Sequence, residues 1–182
     1  MGYCPLSVNH EVSGRIITPI YDTYNGLIAL STRHLNQEVK NKFWHESFDK
    51  GSYLYGLCYA KDAIFKYNKA IIVEGEFDVS YFHSIGFNMT VGTCGSAFTL
   101  FQISLLSKFC SEFYLMFDGD EAGKAAIKRT MNDYKKYNLE CYDLKFIPVF
   151  LPQNIDPDEF LMKEGVSGMK KKLKESREKI NS

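Results

Sequence analysis

The sequence predicts an α/β fold: a four-stranded parallel sheet with helices on both faces, preceded by a small subdomain that contains a β-hairpin. Three observations carry this. From residue 57 onward helical and strand-like patterns alternate as α-β-α-β-α-β-α-β, which implies βαβ units and therefore a parallel sheet. Two of the apolar runs, 70–73 and 113–117, end abruptly in carboxylates and glycine: Glu74-Gly75 after the first, Asp118-Gly119-Asp120 after the second. Such runs read as buried strands whose C-terminal tips present acids. Upstream, Asn25-Gly26 separates two strand-like runs, and a type I′ hairpin turn needs residues that tolerate positive φ at both central positions.

Composition narrows the function classes. The chain has 182 residues, 45% of them hydrophobic, so it can bury a core and is not disordered. Its formal net charge is +0, which excludes a surface that grips nucleic acid all over and leaves only a local basic patch for that purpose. The five cysteines, Cys4, Cys58, Cys94, Cys110 and Cys141, form neither a Cys-x-x-Cys pair nor a Cys/His cluster at zinc spacing. The expectation is no zinc in this chain and free thiols in a reducing compartment. No signal-peptide pattern opens the sequence, and no apolar run approaches a membrane span, so a cytoplasmic protein with no membrane partner is expected.

Taken in order, residues 1–13 lack periodicity and read as a tail or linker. Arg15–Tyr21 and the run 27–31 form the hairpin, with Pro19 confining the first strand to an edge or a bulge. The stretch 33–56 interleaves Arg33, His34, Lys40, Lys42, His45 and Lys50 with Phe43, Trp44, Phe48, Tyr53 and Tyr55. Two readings stay open: a long surface loop with short strands whose aromatics plug core gaps, or a surface that holds a nucleotide or a single strand. A helix follows at 57–67, with Leu57, Ala60, Ile64 and Phe65 at helical spacing. Then come a strand at 70–73, a helix at about 77–84 stopped by Gly86, and a short strand at 88–91. A glycine loop at 92–96 leads to a helix at 99–109 with Phe101, Leu105, Leu106 and Phe109 on one side. The strand 113–117 precedes a long amphipathic helix at 120–137, with Ala122, Ala126, Ile127, Met131 and Tyr134 inward, and a strand at 141–147. In the last segment Asp156 caps a helix that begins at Pro157, a favoured first position. Its lysine-rich end reads as a solvated face. The expected division is a tail 1–13, a β-rich part 14–67, the α/β domain 68–150 and a C-terminal acidic loop and helix 151–182.

In an open parallel sheet, ligands bind outside the carboxyl ends of the strands. Two acidic tips side by side bring Glu74, Asp118 and Asp120 to one edge, and hard oxygen ligands gathered there suit Mg²⁺, which shares its shell with water and phosphate. The glycine between Asp118 and Asp120 lets the backbone come close. Asp78, one turn beyond Glu74, either extends the site or complements its helix dipole. Asp156 and Asp158 join if their loop folds back over the strand tips; otherwise Asp156 is only a cap. Backbone amides of the loop with Gly92, Gly95 and Ser96 are candidates for holding phosphate. The four histidines, His10, His34, His45 and His83, are scattered, and His83 reads as structural.

Together these blocks resemble the Toprim domain, the acidic fold shared by DnaG-type primases, topoisomerases and some nucleases. The residues are Val73-Glu74-Gly75 with Asp78, then Gly95, then Asp118-Gly119-Asp120-x-Ala122-Gly123. The resemblance to bacterial and phage DnaG-type primases reaches further, through Gly14-Arg15-Ile16-Ile17-x-Pro19-Ile20 with Asp22, Arg33, Lys50-Gly51-x-x-Leu54-Tyr55-Gly56-Leu57, Leu151-Pro152 and Asp156-Pro157-Asp158. It implies an RNA polymerase core that makes short primers from ribonucleoside triphosphates on a single-stranded DNA template, using two or more Mg²⁺ or Mn²⁺ ions. By position, it implies Glu74, Asp118 and Asp120 as the catalytic metal ligands, with Asp78, Asp156 and Asp158 as further metal-binding acids. Arg15, Arg33, Lys42, Lys50 and Gly95 correspond to nucleotide- or template-binding positions. Primases of this family also carry a zinc-binding domain and a helicase-docking domain, neither recognisable here. A fragment, or a compact phage protein working with a separate zinc-binding or helicase-docking module and a replicative helicase, is therefore expected, in a bacterial or phage-infected cell. The alternatives are a Toprim nuclease using the same acids and a non-catalytic Toprim scaffold. The upstream hairpin and the Lys50 block favour the primase, since a nuclease has no need of a triphosphate site.

Overall fold

The computed structural model describes residues 1–4, 12–36, 38–95 and 97–180, and of Glu140 and Cys141 the backbone alone. His10 and the loop residue Ser96 lie outside the described residues. The chain forms two compact units, Met1–Asp49 and Lys50–Ser182.

The first unit is an antiparallel sheet of β1 (Gly2–Cys4), β2 (Arg15–Tyr21), β3 (Leu27–His34) and β4 (Phe43–His45), in that order. The expected tail therefore contributes a strand: Gly2–Cys4 pairs with Ile17, Ile16 and Arg15. Because β1 is this short, Pro19 sits where β2 has β3 alone as partner, and the register slips just beyond it, between Ile20 and Tyr21. Pro19 thus lies at an edge beside a bulge, the only settings a strand proline tolerates. The hairpin turn departs from the type I′ expectation. Asp22 N–H bonds the Gly26 carbonyl at 2.9 Å, closing a three-residue loop in which Asn25 (φ 69°) is the left-handed residue. Asp22 Oδ1 accepts from Tyr24 N–H and Gly26 N–H at 2.7 and 2.8 Å, so a side chain outside the Asn-Gly pair selects the turn.

The second unit holds the parallel sheet in the order β6 (Thr90–Gly92), β5 (Lys69–Val73), β7 (Glu112–Leu115), β8 (Lys145–Pro148). Its helices are α1 (Leu57–Tyr67), α2 (Glu76–Ser84), α3 (Leu100–Leu106), α4 (Glu121–Lys136) and α5 (Pro157–Glu178). The α/β fold and its parallel sheet are as expected. Ala70, Ile71, Ile72 and Val73 of the central strand are fully buried, which is why it reads as a continuous apolar run rather than an alternation. Phe113 and Phe146 on neighbouring strands stack edge to face at 5.0 Å, and Tyr134 of α4 lies over Phe146 at 4.7 Å. Each such buried ring contributes roughly 1.5–3 kcal/mol. Helix α2 packs against α5. Among the described residues no helix is long and apolar enough to cross a membrane.

Several details correct the sequence reading. The strand expected from residue 141 begins at Lys145, because 139–142 is a 3₁₀ turn and Asp143 is left-handed (φ 57°). The strand expected at 88–91 is Thr90–Gly92, delayed by the turn that Gly86 (φ 93°) opens. Phe65 is 72% exposed and Phe101 59% exposed; α1 buries Leu57, Ala60 and Ile64, whereas α3 buries Gln102, Ile103 and Leu106. On α4 the buried stripe is Gly123, Ala126, Ile127 and Thr130, with Met131 and Tyr134 half-buried and Ala122 exposed. Small residues on that stripe let the helix lie close to the sheet.

Candidate metal centre

Strands β5 and β7 are parallel neighbours with Ile72 opposite Leu115, and Met116 N–H extends the ladder to the Ile72 carbonyl at 2.9 Å. Glu74 leaves β5 one residue past its end, where the Asp118 backbone N–H faces its carboxylate and favours the ionised form. The turn Asp118-Gly119-Asp120 is pressed from two sides. A Cβ on Gly123 would lie 2.2 Å from the Asp118 carbonyl oxygen, so glycine there lets α4 start directly against the strand tip. A Cβ on Gly119 would lie 2.0 Å from the Pro152 carbonyl oxygen. Across that contact, Gly119 N–H donates to Ile155 O at 3.0 Å and Asn154 N–H to Gly119 O at 3.2 Å. The loop after Leu151 is thereby sewn onto the turn, and α5 opens beside the acids with Asp156 as its first cap residue and Pro157 at N1. Asp156 makes no side-chain capping hydrogen bond. Of the two readings open for Asp156 and Asp158, the fold-back is the one found.

Each remaining acid is anchored locally. Asp78 Oδ2 accepts from Gly75 N–H at 3.1 Å, which ties its carboxylate to the N-cap residue of α2. Asp120 caps α4, accepting from Gly123 N–H at 2.8 Å. Asp158 accepts from Glu159 N–H at 2.7 Å.

The electrostatics are those of crowded, partly dehydrated carboxylates. Asp118 is pushed up to about 7, first by burial and then by Glu74, Asp156, Asp78 and Asp120. Asp78 is also pushed up to about 7, by burial and then by Asp158. Burial raises Glu74, with Asp120 and Asp156 adding to it and the Asp118 N–H and Arg129 opposing. Asp156 is raised by burial, Asp158, Glu159 and Asp120. Burial plus like charge destabilises an ionised acid until a cation arrives. Among the described residues, as they stand, no three acidic, imidazole or thiol groups lie close enough together to hold a metal ion. The chemistry of these donors, hard carboxylate oxygens on an open rim whose shell water and phosphate would complete, suits Mg²⁺ or Mn²⁺.

The other expected site residues are distributed differently. Lys50, in the second unit, opens a 3₁₀ turn, and its charge reaches the Cys94 thiol, which burial pushes up to about 12. In the glycine loop, Gly92, Thr93 and Gly95 N–H donate to the Tyr55, Val73 and Glu74 carbonyls at 3.0 Å each. Gly95 (φ 74°) turns the chain over the Glu74 backbone. In the first unit Arg15 is 7% exposed, and its guanidinium donates to the carbonyls of Asn41 and Lys42 at 2.9 and 3.1 Å. Arg15 thereby braces the backbone of Asn41 and Lys42. Arg33 lies over the Phe43 ring at 5.4 Å, and Lys42 is exposed. His83 hydrogen-bonds the Thr90 carbonyl at 2.8 Å, the structural part expected of it.

The sequence reading missed Arg129. It lines a hollow of about 110 Å³ with Glu74, Gly95, Ala97, Phe117, Ala122 and Ala126. Positions 122, 126 and 129 share one face of α4, so Ala122 is exposed because it borders this hollow. An arginine at the end of that small-residue stripe, just after Asp-Gly-Asp, is the signal that would have found it. Glu76 was missed as well: it is buried, and its Oε1 has no hydrogen-bond partner.

The fold and its acidic edge define a class, and residues 68–145 match the family model of the Toprim domain. That stretch is similar to the domain. Over 90% of its length the chain is also 34% identical to the DNA primase of Aquifex aeolicus, spanning 33% of that relative. It is thus related to the DnaG-type bacterial primases, and its fold is similar to their catalytic core. The solved zinc-binding and RNA polymerase domains of the Aquifex aeolicus primase superpose with a TM-score of 0.79 at 32% identity, over 90% of this chain and 40% of that one. A DnaG primase catalytic domain solved with single-stranded DNA superposes with a TM-score of 0.80 at 28% identity, over 90% of this chain and 52% of that one.

Proposed function

We propose that the chain is the catalytic core of a DnaG-type DNA primase, which synthesises short RNA primers from ribonucleoside triphosphates on single-stranded DNA with two or more Mg²⁺ or Mn²⁺ ions. The observation that carries this is the gathering of three separate acidic segments, 74–78, 118–120 and 156–158, at the carboxyl edge of one sheet, with their carboxylates raised by burial and mutual repulsion. Its similarity to a primase domain solved with single-stranded DNA supports the choice of template.

In this reading Glu74, Asp118 and Asp120 hold the catalytic ions, and Asp78, Asp156 and Asp158 complete or recruit a further one. Bound there, the ions supply activation of the attacking 3′ oxygen and neutralisation of the leaving pyrophosphate. The chain's own residues position them. Asp118 N–H faces the Glu74 carboxylate, and Gly123 N–H holds one Asp120 oxygen, leaving the other for an ion. Lys50 binds the triphosphate through its ammonium. Arg33 and Lys42 hold template phosphate, with Arg15 bracing the Lys42 backbone. A replicative helicase and a separate zinc-binding or helicase-docking module are the partners this reading calls for.

The test is extension. Incubation with labelled ribonucleotides, single-stranded template and Mn²⁺ yields short RNA, and Asp118→Ala lowers the yield by roughly 100-fold or more, the scale of losing a group that stabilises transition-state charge. Degradation of the template in place of synthesis would identify a nuclease, and neither activity a scaffold.

A further inference from the structure

The segment Lys50-Gly51-Ser52-Tyr53 is held by two side chains at the start of α3. Gln102 is 0% exposed. Its Nε2 donates to the carbonyls of Lys50 and Tyr53 at 3.0 and 2.7 Å, while its Oε1 accepts from Thr99 N–H at 3.0 Å. Thr99 accepts from Gln102 N–H at 3.1 Å and donates its hydroxyl to the Gly51 carbonyl at 2.6 Å. Both amide hydrogens of Gln102 are used on carbonyls and its oxygen on an N–H, so only one amide orientation satisfies the set. At its far end the segment is pinned to β6, where Tyr55 and Gly92 exchange backbone hydrogen bonds at 2.8 and 3.0 Å.

This capping box does more than cap. An ordinary one satisfies only its own helix; this one spends three side-chain bonds on a segment about 50 positions earlier in sequence, as the separations of 48, 49 and 52 residues show. Within that segment Lys50 carries the only charged side chain, and no carboxylate among the described residues pairs with it. The clamp therefore fixes the stem of a cation and leaves its ammonium available. The loop that follows β6 ties the clamp to the acids: Lys50 acts on the Cys94 thiol, and Gly95 N–H bonds the Glu74 carbonyl.

We infer that Gln102, with Thr99, is a positioning residue that sets the Lys50 ammonium where it meets the triphosphate of the incoming nucleotide. This rests on the reading of Lys50 as the triphosphate ligand. Buried amide bonds hold a backbone far more tightly than solvent would, and a small misplacement of a charged group is enough to lose its contact with substrate.

The experiment is a double-mutant cycle on the full chain, reading Mg²⁺–ATP affinity by calorimetry and Mn²⁺ affinity by paramagnetic resonance. Lys50→Ala is expected to weaken ATP roughly 10-fold, the scale of one charge-assisted hydrogen bond. Gln102→Met, close in size and unable to bond, is expected to weaken it similarly, to leave Mn²⁺ affinity unchanged and to add nothing in the double variant. Thr99→Val removes one clamp bond and gives a smaller loss should Gln102→Met fail to fold; Thr99→Ser restores the wild-type value. Multiplicative losses in the double variant, an unchanged affinity in both clamp variants, or an equal fall in Mn²⁺ affinity would overturn the inference. An unchanged affinity in Lys50→Ala would overturn the nucleotide reading of Lys50, and the inference with it.

Discussion

Asp118 is the residue on which the account turns, because burial and the acids around it hold its carboxyl far from its ordinary behaviour. Burial and four neighbouring acids raise it to about 7, and Asp78 is raised as far. A raised carboxyl binds more protons folded than unfolded between about pH 4 and pH 7. Metal-free stability therefore falls as pH rises through that window, the reverse of a salt-bridged carboxylate. Bound Mg²⁺ neutralises the same charges and competes with the protons. Thermal melts without metal are expected to show a lower Tm at pH 8 than at pH 5.5, and saturating Mg²⁺ is expected to raise Tm more at pH 8. A metal-free Tm that climbs with pH would contradict the crowding described here. The acids themselves were legible in sequence, since a carboxylate directly after an apolar run is a local pattern. Arg129 and Glu76 were not, because what matters in each is set by the fold: the approach to Glu74 for one, the burial of Oε1 without a hydrogen-bond partner for the other.

At the scale of elements, the join between the Asp118-Gly119-Asp120 turn and the loop before α5 decides whether the third acidic pair belongs to the site. Nothing local foretold it, because the join is made of backbone hydrogen bonds to Ile155 and from Asn154. Gly119→Ala would drive a methyl to within 2.0 Å of the Pro152 carbonyl oxygen, and backbone on both sides must yield. The expected cost is about 1–3 kcal/mol of stability, as for other overpacked sites. A weaker Mn²⁺ affinity is expected alongside it, as Asp156 and Asp158 move off. Chemical denaturation and a Mn²⁺ titration of the same variant check both; full stability with full affinity would show that the loop adapts freely. The helices' existence and order were legible from periodicity, but their rotation was not always: Phe65 and Phe101 read as core and are exposed. A seven-residue helix such as α3 offers too few turns to fix its inward face, and here a buried glutamine occupies it.

For the molecule as a whole, the chain spans 33% of the Aquifex aeolicus primase to which it is similar. The alternation of helices and strands was enough to give the parallel sheet, because βαβ crossovers leave few topologies open. The first unit was less legible. Its outer strand, Gly2–Cys4, is three residues long and carries no periodicity, so only its partner β2 identifies it. With formal net charge +0, the chain has no overall field to draw in nucleic acid, and template affinity must come from local cations such as Arg33 and Lys42. The most direct test of a metal-dependent polymerase centre is a soak of crystals with Mn²⁺ and a ribonucleoside triphosphate, read by anomalous scattering. The account predicts Mn²⁺ between Glu74, Asp118 and Asp120, with triphosphate density at Lys50. Crystals that take up Mn²⁺ elsewhere and leave this edge empty would contradict it.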